Sequence, residues 1–284
     1  MRTVYVNDRF LAENNASISI FDRGFLFADA VYEVTTVLDG KLIDFHRHMS
    51  RLRRSLAQLK FTIAQSDDDL LGIHRELVAR NDLVEGLVYL QVSRGVADRD
   101  FLISDATMHP SLVLFTQAKA LVDTTTAKRG QRIVTVPDLR WRRCDIKTVQ
   151  LLYASLAKTD AVRQGADDVW MVLDGKITEG SSNNAYIVTG DGTIVTRALG
   201  NDILHGITRE AVLSCAQHLQ LKVEERSFSV DEARAAREAF STSATGFVNP
   251  VVQIDESVLG DGTPGPVTSS LRTFYVEAAH RHSI

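Results

Sequence analysis

The chain has 284 residues, with 32 Lys+Arg against 36 Asp+Glu, a formal net charge of −4 and 44% hydrophobic residues. That composition suits a folded globular protein, excludes a disordered or fibrous one, and provides no basic field for nucleic acid or an anionic membrane. Two cysteines, Cys144 and Cys215, are too few for a disulfide framework or a cysteine-rich zinc site, and no signal peptide or membrane span is legible, so a cytoplasmic chain of two domains is expected.

Residues 3–10 read as a short strand followed by a turn. Residues 31–37 are rich in β-branched side chains and stop at Asp39-Gly40, a hairpin signal, with 41–45 as the return strand. Met49, Leu52, Leu56 and Leu59 then recur at spacings of three and four, which predicts an amphipathic helix over 46–59; a second helix fits 67–79. Strands at 86–93 and 111–117 flank a polar loop from Arg94 to Pro110, long enough to be functional. The polar stretch 118–131 reads as a linker between a first domain, 1–117, and a second, 132–284. In the second domain a strand (132–136) and a helix (148–164) come first. Strands at 168–173 and 184–188 follow, with an Asp174-Gly175 hairpin signal between them and an Asp191-Gly192 turn after them. Helices are expected over 208–218 and 232–239, strands over 239–243 and 245–254, and a closing helix over 268–280. The pattern is mixed α+β, with strands and helices partly segregated in each half.

The eight histidines are scattered, so no metal site is expected, and the glycine-rich phosphate loops and the nucleophile elbow are missing from the sequence. Lys147 lies at a change from strand to helix, close in sequence to Arg140, Arg142 and Arg143. Cationic neighbours lower an amine's pKa, as a Schiff-base lysine needs; a solvated surface lysine is the alternative. Glu179, followed by Gly180-Ser181-Ser182, is either a carboxylate aimed into a cleft or an ordinary polar hairpin end. The segment Leu204-His205-Gly206-Ile207-Thr208 opens into a helix. It can cup an anion on free N–H groups, or it is simply a helix start with Thr208 as N-cap. Ser241 to Gly246 is a second run of small hydroxyl residues after a strand. A candidate Schiff-base lysine, a carboxylate and an anion cup together fit the aldehyde, pyridine nitrogen and phosphate of pyridoxal phosphate.

Four segments carry a family resemblance that runs nearly end to end. They are Asp22-Arg23-Gly24 with Val31-Tyr32-Glu33-Val34; Arg143-Cys144-Asp145-Ile146-Lys147-Thr148 with Ser155-Leu156-Ala157-Lys158; Glu179-Gly180-Ser181-Ser182 with Asn184; and Ile203-Leu204 with Gly206-Ile207-Thr208-Arg209. The chain resembles the class IV aminotransferases, the fold type IV pyridoxal-phosphate enzymes, and among them the D-amino-acid aminotransferases.

The resemblance implies a small N-terminal α/β sandwich domain and a larger C-terminal pseudo-barrel domain, with the site between the two. Lys147 would hold the cofactor as a Schiff base and move the proton between Cα and C4′. Glu179 would keep the pyridine nitrogen protonated. Arg51 would bind the phosphate, Ile207, Thr208 and Thr245 would add contacts to it, and Leu204 would pack near the ring. Arg51 also suits that task physically, as a guanidinium near the start of an amphipathic helix. Tyr32 would line the substrate pocket, although a half-buried strand residue is its bland reading, and Arg99 would bind the substrate carboxylate.

A homodimer is implied, with the loop from Arg94 to Pro110 contributing to the neighbouring site. The implied reaction transfers the amino group of a D-amino acid to 2-oxoglutarate or pyruvate. The sequence departs from the type pattern at Phe101, where a histidine is usual, and carries no proline just after it. That departure brings a hydrophobic donor or an (R)-amine into play. Branched-chain L-amino-acid transamination, aminodeoxychorismate lyase chemistry and an inactive binding protein are the remaining rivals.

Overall fold

The β-branched run expected as a strand is the longest strand of a six-stranded sheet, all of it antiparallel, and lies next to one edge. The computed structural model describes residues 1–103 and 108–284. The strands are β1 (Thr3–Val6), β2 (Arg9–Ala12), β3 (Ala30–Leu38), β4 (Lys41–Leu42), β5 (Gly86–Ser93) and β6 (Ser111–Ala118), in the order β2-β1-β6-β5-β3-β4. Asp39 and Gly40 both take positive φ, 52° and 74°, the left-handed turn that a two-residue hairpin requires. The return strand is shorter than expected: β4 stops at Leu42, because Asp44 (φ 54°) turns the chain into the next helix.

Among the described residues, three α-helices accompany this sheet: α1 (Arg23–Phe27), α2 (Phe45–Gln58) and α3 (Asp67–Arg80). The stripe Phe45, Met49, Leu52 and Leu56 buries α2 against the sheet. A Ser66–Asp69 capping box starts α3.

The second part of the chain builds a nine-stranded mixed sheet. Its elements are α4 (Thr125–Arg129), β7 (Gln131–Pro137), α5 (Leu152–Arg163), β8 (Asp168–Leu173), β9 (Lys176–Gly180), β10 (Asn184–Val188), β11 (Ile194–Thr196), α6 (Ile207–His218), β12 (Val223–Glu225), α7 (Val230–Arg234), β13 (Glu238–Ser243), β14 (Phe247–Ile254), β15 (Ser257–Val258) and α8 (Pro266–Arg281). The order is β12-β11-β10-β13-β14-β7-β8-β9, with β15 on β14. A tight turn closed by Gly180 N–H donating to the Asn183 carbonyl (2.8 Å) brings β9 round beside β10, which curls the sheet. Its core gathers Trp170, Ile177, Ile187, Phe228 and Ile254.

Several elements differ from expectation. The helix expected from residue 148 begins only at Leu152. The helix expected over 232–239 is the short α7, started by a Ser229–Glu232 capping box and cut off before Glu238 enters β13. The stretch 118–131 carries a helix, α4.

Two compact units result: Met1–Ala120 with Ile146–Gln150 and His282–Ile284, and Leu121–Asp145 with Leu151–Arg281. The segment around Lys147 thus belongs to the first unit, although its place in the sequence lies among residues of the second. The reason is pairing between residues far apart in sequence: Thr148 bridges Val31, and the Tyr32 N–H donates to the Lys147 carbonyl at 3.0 Å.

Candidate active site

Strand alternation sends Tyr32 and its neighbour Glu33 to opposite faces of β3. On one face the Lys147 ammonium nitrogen lies 4.1 Å from the centre of the Tyr32 ring, a cation–π contact. Tyr32 stacks on Tyr89 (5.5 Å), which stacks on Phe115 (4.8 Å), so the ring under Lys147 is the end of a three-ring ladder across β3, β5 and β6. Two of the expected site residues, Lys147 and Tyr32, are therefore brought together.

On the other face Glu33 is fully buried and meets Arg51, halfway along α2, in a forked pair: Nε donates to Oε1 at 2.8 Å and Nη2 to Oε2 at 2.7 Å. The His48 Nδ1 lies 2.7 Å from the same carboxylate. Burial alone would raise the Glu33 carboxyl; Arg51 and His48 outweigh it and bring its pKa down to about 2. Arg51 is thus a guanidinium locked at one edge by a permanent carboxylate, rather than a flexible helix-face arginine. Glu33 and His48 were not singled out from the sequence; the tyrosine–glutamate pair of the first motif was the signal for Glu33.

Arg99 is exposed. Its guanidinium lies 5.6 Å from each of the Phe27 and Phe101 ring centres, and those two rings meet edge to face at 5.6 Å. The residue that departs from the type pattern, Phe101, is thus a direct neighbour of the arginine it follows. Residues 104–107 of that loop lie outside the described residues.

In the second unit Glu179, at the end of β9, is almost fully buried. Arg140 Nη1 donates to it at 2.6 Å, Asn184 Nδ2 at 2.9 Å and the Leu204 N–H at 3.1 Å. Arg140 is shared, because Asp138 takes its Nε (2.9 Å) and Nη2 (2.7 Å) as a second fork. Burial therefore prevails at Glu179: its carboxyl is raised above the ordinary value, Arg140 offsets part of that, and Asp138 adds to it. Two of the three cations near Lys147 in sequence are engaged elsewhere, Arg140 with these two acids and Arg143 with Asp145, so proximity along the chain is no guide to the lysine.

Asn184 also donates to the Leu204 carbonyl at 3.0 Å, tying β10 to the loop before α6. Gly206 lies in that loop, where a Cβ would come within 2.1 Å of the Asn184 Oδ1 and would displace the side chain that holds Glu179. Gly206, not Thr208, is the N-cap of α6, and no side chain caps the helix. Its first N–H groups, at Ile207 and the buried Thr208, therefore point out of the helix end without a side-chain acceptor, which suits a phosphate. Thr245 sits in the turn between β13 and β14, and the two strands flanking that turn pair through Ser243 and Phe247.

These groups fit pyridoxal phosphate by their chemistry. An amine stands on an aromatic face, a buried carboxyl lacks full compensation, an uncapped helix end is preceded by glycine, and a pre-oriented guanidinium is present. Arg140 and Asn184, which hold the carboxyl, are additions that sequence reading did not supply as site residues.

Comparison with known proteins agrees. The family described as amino-transferase class IV matches residues 30–254. A D-alanine aminotransferase of Staphylococcus aureus is 34% identical over 284 residues, covering 100% of each chain. One from Listeria innocua is 36% identical over 277 residues, 96% of this chain and 95% of its own. Among solved structures, an Escherichia coli branched-chain amino acid aminotransferase superposes with a TM-score of 0.89 at 21% identity, over 98% of this chain and 94% of that one.

Proposed function

The chain belongs to the class IV aminotransferases and uses pyridoxal phosphate, and from that premise we propose that it moves the amino group of a D-amino acid to a 2-oxo acid such as 2-oxoglutarate or pyruvate. The observation that carries the choice of donor is the end-to-end likeness to D-alanine aminotransferases at 34% identity. The branched-chain enzyme shares the fold at 21% identity and speaks to the fold alone.

Pyridoxal phosphate supplies an aldehyde that captures an amino group and a ring that accepts the electron pair left when the donor's Cα proton departs. The chain supplies the rest. Lys147 is the amine that anchors the cofactor, and its Nζ carries the Cα proton, with the Tyr32 ring fixing where that nitrogen starts. Glu179 holds a proton at the ring nitrogen, where a cationic partner completes the compensation that Arg140 leaves partial. Arg51, oriented by Glu33, meets the phosphate together with Ile207, Thr208 and Thr245, while Leu204 packs near the ring. Tyr32 lines the substrate pocket.

Arg99 addresses the substrate carboxylate, from a loop that contributes to the neighbouring subunit's site in a cytoplasmic homodimer. Ile20, Phe21 and Phe25, which are 70%, 49% and 70% exposed in the first unit, support that assembly. A second reading, an (R)-amine donor, is favoured by Phe101, which puts a ring beside Arg99 where a second polar group is usual.

The test is a half-reaction panel of D- and L-alanine, D-glutamate, L-leucine and (R)-1-phenylethylamine, followed by the cofactor spectrum. Conversion by the D-amino acids first is expected; preference for L-leucine would overturn the proposal. Lys147→Ala should abolish transamination. Arg99→Ala should raise KM for amino acids more than for simple amines. Sedimentation at micromolar concentration checks the dimer.

A further inference from the structure

The turn that carries Thr245 is held by a residue far away in sequence. Ala244, Thr245 and Gly246 connect β13 to β14, and the next residue, Phe247, takes φ 57°. That left-handed conformation is normally glycine's, and a non-glycine residue there costs on the order of 1–2 kcal/mol. Here it is a phenylalanine, fully buried and packed 5.7 Å from the Tyr275 ring of α8. One helical turn before Tyr275, on the same face of α8, stands Arg272. Its Nη1 donates to the carbonyls on both sides of Phe247, Gly246 O and Val248 O, each at 2.8 Å. Its Nη2 donates to Val122 O at 2.7 Å and Leu121 O at 3.3 Å.

All four acceptors of Arg272 are neutral carbonyls. Among the described residues it has no carboxylate partner, although the guanidinium is more than half buried, and burial lowers its pKa. Elsewhere in this unit Arg140, Arg143 and Arg209 are each matched with an acid. A buried guanidinium without an anion is costly, and it is tolerated where it fixes a shape or awaits a negative group. Both conditions are met if the turn at its fingertips receives a phosphate.

We propose that Arg272 is a positioning residue for the phosphate of the cofactor: it clamps the left-handed Phe247 from both sides, so that the Ala244–Gly246 turn presents Thr245 in one shape, and it brings an unneutralised cation up behind that turn. The proposal rests on the reading of Thr245 as a phosphate contact. A lysine cannot reproduce it, because one ammonium cannot span carbonyls on two sides in the plane of a guanidinium fork.

The experiment compares pyridoxal phosphate with pyridoxal, which lacks the phosphate, as ligands for the cofactor-free full-length protein, titrated by absorbance and fluorescence. The quantity read is the ratio of the two dissociation constants. For Arg272→Met the preference for the phosphorylated form should fall about tenfold, the scale of losing one charge-assisted hydrogen-bonding group. Arg272→Lys should fall in between and serves as the readout if the methionine variant does not fold. A merely structural role would weaken both ligands together and leave the ratio unchanged.

Thr245→Val separates the two readings. If it lowers the ratio while neither Arg272 variant does, the proposal is overturned and the phosphate reading stands. If none of the three variants moves the ratio, the phosphate reading of this turn fails, and the proposal with it.

Discussion

Glu33 and Glu179 are the same side chain at the same depth, and the protein treats them in opposite ways. Glu33 has the full edge of Arg51 and a histidine to itself, so its charge is more than compensated and its pKa falls to about 2. Glu179 receives one nitrogen of an arginine whose other edge belongs to Asp138, and its pKa rises. A closed pair is a structural fixture, and it holds Arg51 still. A carboxyl left short of positive charge in a dry site is a place where a cationic ring nitrogen gains most. With burial alike at the two, how an arginine is shared sets the opposite directions of their shifts.

The sharpest way to break this contrast is Glu179→Gln. With a neutral amide facing the ring nitrogen, transamination should fall roughly 100-fold or more, the scale of removing one pre-aligned electrostatic partner, while the cofactor remains bound. Stopped-flow half-reactions measure it, and an unchanged rate would move the chemistry away from this carboxyl.

Glu33→Gln should act on stability instead. It strands Arg51 beside an uncharged partner, for an expected loss of roughly 3–5 kcal/mol in urea unfolding. Cofactor affinity should weaken with it, because Arg51 is no longer held.

Next in size is Asp138→Asn. Relieved of its second acid, Arg140 compensates Glu179 fully, and the rate should drop about tenfold, equivalent to one pKa unit of lost bias. A rise in rate would reverse the argument about sharing.

The pH dependence of the cofactor-free protein sharpens the contrast without touching the reaction. Glu33 titrates below its unfolded value of 4.5. Its contribution is therefore complete above about pH 4.5 and is lost as the pH falls toward about 2. Glu179 titrates above that value, so the folded chain holds this proton longer and its contribution declines as the pH rises past 4.5. Unfolding free energy against pH should lose its acid limb in Glu33→Gln and its decline above 4.5 in Glu179→Gln. Parallel changes in the two variants would mean that the glutamates are not opposites.

What could be read without coordinates was whatever a few neighbouring residues decide among themselves. The Asp39-Gly40 hairpin, the α2 stripe and the bounds of β8 and β10 depend on turn chemistry and side-chain period. So does the ordered set of motifs that identified Lys147, Glu179 and the start of α6.

The same local view misplaced the onset of α5, because it could not know that Thr148 would pair with Val31 and hold the lysine segment in an extended form. It also counted Arg140 and Arg143 as company for Lys147, when each is claimed by an acid of its own unit.

By itself, then, the sequence determined the family, the fold class and the candidate residues for the site, because those are set by local patterns in fixed order. Only the tertiary structure decided the state of each group. Arg51 is fixed by Glu33 eighteen positions away, Glu179 is poised by an arginine thirty-nine away, and the Thr245 turn is clamped by Arg272 from α8. Burial and charge pairing are sums over neighbours in space, and a chain read in order does not contain those sums until it has folded.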